Sequence, residues 1–116
     1  MDADMRVGIK LWIEAEDGLL LGKGRVRLLK AIDRFGSIHR ASKELGISYK
    51  KAWHQIEDLN RHAPKPVVER KTGGKNGGGT RLTPYGRAVI RWYEQLEGAC
   101  RHFAQQKWDA YVGEEH

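Results

Sequence analysis

Val7, Ile9, Leu11 and Ile13 alternate with Arg6, Gly8, Lys10 and Trp12, a period of two that predicts a half-buried strand from Met5 to Ile13. Glu16-Asp17-Gly18 is a turn signal, so Leu19 to Leu21 is expected to return as a short antiparallel partner. Gly22 and Gly24 break this pattern, and from Arg25 the spacing becomes helical. Val26, Leu28, Leu29, Ile32 and Phe35 form one apolar stripe, stopped by Gly36. Ser37 suits the N-cap of a second helix with Ile38, Ala41 and Leu45 inward. Gly46-Ile47-Ser48 repeats the break and the cap. In the third helix Ala52, Ile56 and Leu59 share a face, Trp53 beside them is expected in the core, and Pro64 and Pro66 end the run.

Val67 and Val68 read as a short strand, onto which Arg81-Leu82 pairs back across a tip holding five glycines between Thr72 and Thr80. Thr83 caps a last helix with Pro84 at its first position, running to about Tyr111. Gly86 and Gly98 should each weaken that helix by about 1 kcal/mol relative to Ala. Tyr85, Val89, Trp92, Leu96, Ala99 and Phe103 make a coiled-coil-like seam, and Ile90, Tyr93, Cys100 and Trp108 a second stripe beside it. Such a helix can pack one face on its own domain and the other, Val89, Trp92, Leu96, Ala99 and Phe103, on a second copy; the bland alternative packs both internally. The expected fold is mainly α with small β, a single winged helix-turn-helix domain over residues 1–116. Its parts are a strand/hairpin at 1–22, three helices at 23–63, a wing at 66–82 and a long dimerisation helix at 83–112.

Composition sharpens this picture. The 116 residues carry a formal charge of +6, and it is unevenly spread: −3 over residues 1–22, +10 over 23–82 and −1 over 83–116. A basic block between acidic flanks reads as a contact surface for an anionic partner, with a solvated Lys/Arg face as the plain alternative. No run approaches a membrane span, Leu19-Leu20-Leu21 is too short for a signal-peptide core, and the lone Cys100 cannot form an internal disulfide. A soluble, cytoplasmic protein is expected.

The charged block coincides with the helix-turn-helix, in which the first turns of the second helix enter the major groove. Those positions are Tyr49, Lys50, Lys51, His54 and Gln55. Lys can donate to guanine and Gln can pair bidentately with adenine, while Tyr49, Ser37 and Ser48 suit phosphate. In the wing, Arg70, Lys71, Lys75 and Asn76 are expected on the DNA backbone or in the minor groove. A phosphate-binding P-loop needs Gly-Lys-Ser/Thr running into a helix; here Asn76 follows Lys75, so that reading is rejected. No histidine, cysteine or carboxylate cluster suggests a metal, a cofactor or catalysis.

Gly36-Ser37-Ile38, Gly46-Ile47-Ser48-Tyr49-Lys50-Lys51-Ala52-Trp53, Glu69-Arg70-Lys71-Thr72-Gly73-Gly74-Lys75 with Gly77-Gly78-Gly79, and Leu82-Thr83-Pro84-Tyr85-Gly86 together resemble the DNA-binding region of ModE-type molybdate-responsive regulators. More broadly they are similar to LysR-type winged helices, which share the Gly-Ser start and the Leu-Thr-x-x-Gly opening. The resemblance implies a homodimeric transcription regulator of molybdenum-related genes. Its recognition helix would fall on Ser48 to Gln55 and its wing on Arg70 to Lys75. It also implies an oxyanion-binding region after this domain; no such site is identifiable up to His116, so molybdate binding is not expected of this chain. The expected function is sequence-specific binding of double-stranded DNA at a palindromic operator. The alternatives are a stand-alone oxyanion-binding protein and a non-specific architectural nucleic-acid binder.

Overall fold

Two glycines set the corners of the domain. Gly36 (φ 69°) and Gly46 (φ 70°) are both left-handed, a backbone region costly for other residues, and each terminates a helix. In the computed structural model, which describes residues 5–71 and 79–114, α1 (Lys23–Phe35) ends at Gly36 and α2 (Ile38–Leu45) ends at Gly46. The next helix, α3, covers Tyr49–His62. Ser37 Oγ accepts the Arg40 N–H at 3.1 Å, and Ser48 Oγ accepts the Lys51 N–H at 3.0 Å, so both predicted caps form. An antiparallel hairpin, β1 (Ile13–Ala15) with β2 (Gly18–Leu21), precedes the helices. A second, β3 (Val68–Arg70) with β4 (Thr80–Leu82), follows them in the register Val68 with Leu82 and Arg70 with Thr80. The chain then enters α4 (Pro84–Glu114), which runs past the expected end near residue 112.

The core is the meeting of these elements. Leu28, Leu29 and Ile32 of α1 are fully buried with Ala41 of α2, Ala52 and Leu59 of α3, and Val67 and Leu82 at the wing's base. Fully buried Ala41 and Ala52 let α2 and α3 approach closely. The Thr80 N–H donates to the Gly36 carbonyl at 3.0 Å, joining β4 to the end of α1; a Cβ on Gly79 would lie 2.6 Å from that same oxygen.

The expected strand from Met5 to Ile13 is corrected. Residues 5–12 form no regular element and pair with no strand; the ladder begins only at Ile13. The alternation itself holds, with Val7, Ile9, Leu11 and Ile13 half-buried and their even-numbered neighbours exposed. The face they cover is helix rather than sheet. Tyr93 Oη donates to the Leu11 carbonyl at 2.7 Å, and Gln105 bonds the Val7 N–H at 2.8 Å and the Met5 carbonyl at 3.2 Å.

Wing and helix are joined by one side chain that carried no signal in the sequence. Asn60 on α3 accepts the Val67 N–H at 2.8 Å and the Val68 N–H at 3.3 Å, and donates to the Val68 carbonyl at 3.0 Å. Losing these bonds leaves backbone groups at a buried strand start without partners, a cost of about 1–3 kcal/mol. Asn60→Ala is therefore expected to lower the unfolding free energy by that amount, with faster amide exchange at Val67 and Val68 than elsewhere; unchanged exchange at both would refute the clamp.

Among the described residues no helix is long and apolar enough to cross a membrane.

Candidate nucleic-acid interface

Because Ala52, Ile56 and Leu59 are buried, α3 must turn its opposite side outward. Lys50, Lys51 and His54 are exposed away from that stripe, and Tyr49 is exposed at the start of the helix, as the sequence predicted. The two cap hydroxyls, Ser37 and Ser48, accept backbone N–H groups, which leaves each O–H able to donate to a phosphate. Tyr49 stands 6.0 Å ring to ring from His39, so α2 contributes to the same end of the surface.

Gln55 is not grouped with the others. It is half-buried and lines a different cavity, of about 750 Å³, with Trp12, Leu19, Arg25 and Tyr93. Trp53 also departs from expectation: it is half-buried and outside the core cluster. At about 100° per residue it lies about 100° from Ala52 and about 60° from Ile56, on the side toward the wing. There it lines a groove of about 560 Å³ with Glu57, Arg61, Glu69 and Arg70. Arg61 and Arg70 are exposed, and neither Trp53 nor Arg61 was assigned to the surface from sequence. The only clue to both was their helical angle relative to the buried stripe.

Arg70 and Lys71 of the hairpin are exposed on the far side of this groove, and the Lys71 N–H donates to the Gly79 carbonyl at 2.8 Å. Lys75 and Asn76 lie outside the described residues. Glu69 on the same strand is paired with Arg81 at 2.9 Å, which removes one carboxylate from the basic surface.

A polar cluster behind α3 fixes its orientation. Arg25 at the start of α1 contacts Asp58 at 2.8 Å and also donates to the carbonyls of Leu19 and Leu20. The Arg25 guanidinium holds the Asp58 carboxyl below its ordinary 3.8, by hydrogen bond first and by charge second, against the opposing effect of burial. His62 places Nδ1 3.0 Å from the Asp58 carbonyl and Nε2 3.0 Å from the Asp17 carboxylate in the turn between β1 and β2. Both ring nitrogens face acceptors, so the imidazolium is favoured, and the His62 pKa is raised above 6.5 by these two contacts in that order.

The signs fix a stability window. The His62 contribution is complete below its unfolded value near 6.5 and is lost as pH rises through the higher folded value. The Asp58 contribution is present above its unfolded 3.8 and is lost as pH falls through the lower folded value. Thermal melts of the wild type should thus decline on the alkaline side of 6.5, and His62→Ala should flatten that decline; an unchanged slope would remove His62 from the account.

One side of α4 is left uncovered by its own domain: Trp92 is 51% exposed, Leu96 45% and Phe103 62%, and Ala99 between them is exposed too. Val89 is half-buried and packs against the core. Trp108 and Tyr111 extend the apolar surface toward the helix end at 40% and 55% exposure.

Residues 24–87 match the family described as bacterial regulatory helix-turn-helix protein, lysR family. The chain is similar to the transcriptional regulator ModE of Haemophilus influenzae, 46% identical over 94 residues that make up 81% of this chain and 37% of that protein. It is similar to the molybdenum transport protein ModE of Azotobacter vinelandii, 47% identical over 88 residues, 76% of this chain and 33% of that one. With the DNA-binding transcriptional dual regulator ModE of Escherichia coli it shares 42% over 92 residues, 79% of this chain and 35% of that one. The chain thus spans about a third of the length of these curated relatives. Among solved structures it resembles the CbnR_DBD–DNA complex, with a TM-score of 0.57 at 22% identity over 78% of this chain and 99% of that one. The BenM_DBD/benA site 1 DNA complex gives 0.54 at 17% identity, again over 78% and 99%. At those identities the likeness is one of fold.

Proposed function

This chain belongs to the lysR family of bacterial regulatory helix-turn-helix proteins, and we propose that it is a sequence-specific, double-stranded-DNA-binding transcription regulator of the ModE type that acts as a homodimer in the cytoplasm. One observation carries the reading. A capped helix pair presents Lys50, Lys51 and His54 on the outward side of α3, next to a hairpin bearing Arg70 and Lys71. The helix enters the major groove, where Lys50 donates to guanine acceptors and His54 reaches a neighbouring base. Tyr49, Lys51 and the Ser37 and Ser48 hydroxyls hold phosphates, and Arg70 and Lys71 of the wing follow the backbone toward the minor groove, a role the sequence extends to Lys75 and Asn76. Gln55, which lines the cavity on the other flank of α3, is assigned no base. The relatives named ModE, a dual regulator and a molybdenum transport protein among them, support a role in controlling molybdenum-related genes.

The homodimer rests on the apolar side of α4. Trp92, Leu96, Ala99 and Phe103, continued by Val89, form a seam that a second α4 would cover, and a two-fold axis there sets two recognition helices on two half-sites. Sedimentation should give a dimer, and Leu96→Glu, at an exposed position, should give a folded monomer. A wild type that sediments as a monomer at every concentration would remove the seam.

The chain binds DNA rather than transforming a substrate, and no cofactor enters the proposal. Titration with molybdate or tungstate should give no stoichiometric heat; a clear one-site isotherm would establish an oxyanion site instead. Selection from random duplex tests the main reading. It should return a palindrome with half-sites one helical turn, or a multiple of one, apart. Recovery of unrelated sequences would leave only a non-specific binder.

A further inference from the structure

Glu57 is the acid on an otherwise basic stripe. Lys50, His54, Glu57 and Arg61 stand at i, i+4, i+7 and i+11 on α3, which at about 100° per residue gathers them within roughly 60° of one another. All four are exposed, opposite buried Ala52, Ile56 and Leu59. The nearby acids are engaged: Asp58 is turned back onto Arg25, and Glu69 across the groove is paired with Arg81. Glu57 makes no ion pair or hydrogen bond among the described residues, although Arg61 lies one turn farther on.

A bare carboxylate here opposes the attraction that its neighbours exert on phosphates. What offsets this in the major groove is a base-edge donor. An ionised carboxylate only accepts, so the cytosine N4 amino group suits it best; the adenine N6 amino group stands beside the acceptor N7 and suits it less, while guanine O6 and N7 and thymine O4 repel it. We infer that Glu57 is a specificity-determining residue that accepts from a cytosine N4 amino group in the major groove and disfavours duplexes that present a guanine or thymine acceptor at that point. This rests on the DNA reading above. Seven residues of helix separate Glu57 from Lys50, about 10 Å along the axis. The cytosine is accordingly placed roughly two to four base pairs from the base that Lys50 contacts.

The test is selection from random duplex, followed by competition binding, on the wild type, Glu57→Gln and Glu57→Ala. The wild type should favour cytosine about tenfold at one position per half-site. Glutamine, which donates as well as accepts, should move that preference to adenine, and alanine should erase it. Both variants should bind scrambled duplex a few-fold more tightly, keep the base preference at the Lys50 position and melt with the wild type. Identical base profiles for all three proteins, with only a uniform rise in affinity, would reduce Glu57 to a solvated charge and overturn the inference while leaving the DNA reading intact. A drop in melting temperature together with a blurred profile at every position would make it a structural residue and overturn it likewise. No base preference in the wild type itself would overturn both readings, an outcome told apart by running that selection first.

Discussion

Gly86→Ala is expected to destabilise the domain by about 3 kcal/mol, while Gly98→Ala in the same helix stabilises it by up to about 1 kcal/mol. Ordinary helix propensity gives both substitutions the same favourable sign, so a difference in direction must come from packing. A Cβ on Gly86 would collide with the Val67 carbonyl oxygen, whereas one on Gly98 meets nothing within 4 Å. That Val67 oxygen is already committed, accepting the Thr83 N–H at 3.0 Å, and Thr83 Oγ1 donates to the Pro66 carbonyl while accepting the Gly86 N–H. The first turn of α4 is thus clamped onto the base of the wing, and neither backbone can yield without giving up hydrogen bonds. Thermal unfolding checks this directly, with a fall of about 10–20 °C expected for Gly86→Ala. Equal melting temperatures for the two variants would mean that the approach of helix and wing is looser than described.

Lys50→Ala should weaken binding to the preferred duplex roughly 10- to 100-fold and abolish the guanine preference at one position of each half-site. Arg70→Ala should instead weaken all duplexes alike and reduce the salt slope by about one. The contrast follows from position. Lys50 lies in the first turn of an exposed helix whose opposite side is fixed in the core, so its amine is presented at a defined depth. Arg70 is on an exposed strand at the groove's rim, where a phosphate is the available partner. Quantitative competition on four duplexes differing at one base pair separates the two behaviours. Should Lys50 and Arg70 act identically on all four, α3 would lose its place as the reader.

The parts of the fold that follow from local chemistry were legible in the chain. Ser37, Gly46 and Ser48 act on their own neighbours within four residues, so caps, turn and helix boundaries could be read before any packing was known. The segment from Met5 to Ile13 shows where legibility stops. Alternation reports that one face is covered but not what covers it, and here the cover is α4 rather than a strand. Gly86 looked like a weak point in a helix because its purpose is a contact with a residue nineteen positions earlier. Asn60 is ordinary until the hairpin presents it with two N–H groups and a carbonyl. On α3, residue type and spacing gave Lys50, Lys51 and His54 as outward-facing, and all three are exposed, yet grouped Gln55 with them and Trp53 with the core. Both sit on the flanks of α3, where a small rotation of the helix decides which neighbour they face.

The central claim is that this surface reads sequence and does not merely attract phosphate. Its most direct test is the ratio of affinities for the selected palindrome and for a scrambled duplex of the same length and composition, measured at about 0.15 M salt, where exposed charges are substantially screened. The account predicts a ratio of about 10³ or more, with a steeper loss of affinity per added salt for the scrambled duplex once base contacts carry part of the specific complex. Equal affinities with the same salt slope would contradict it.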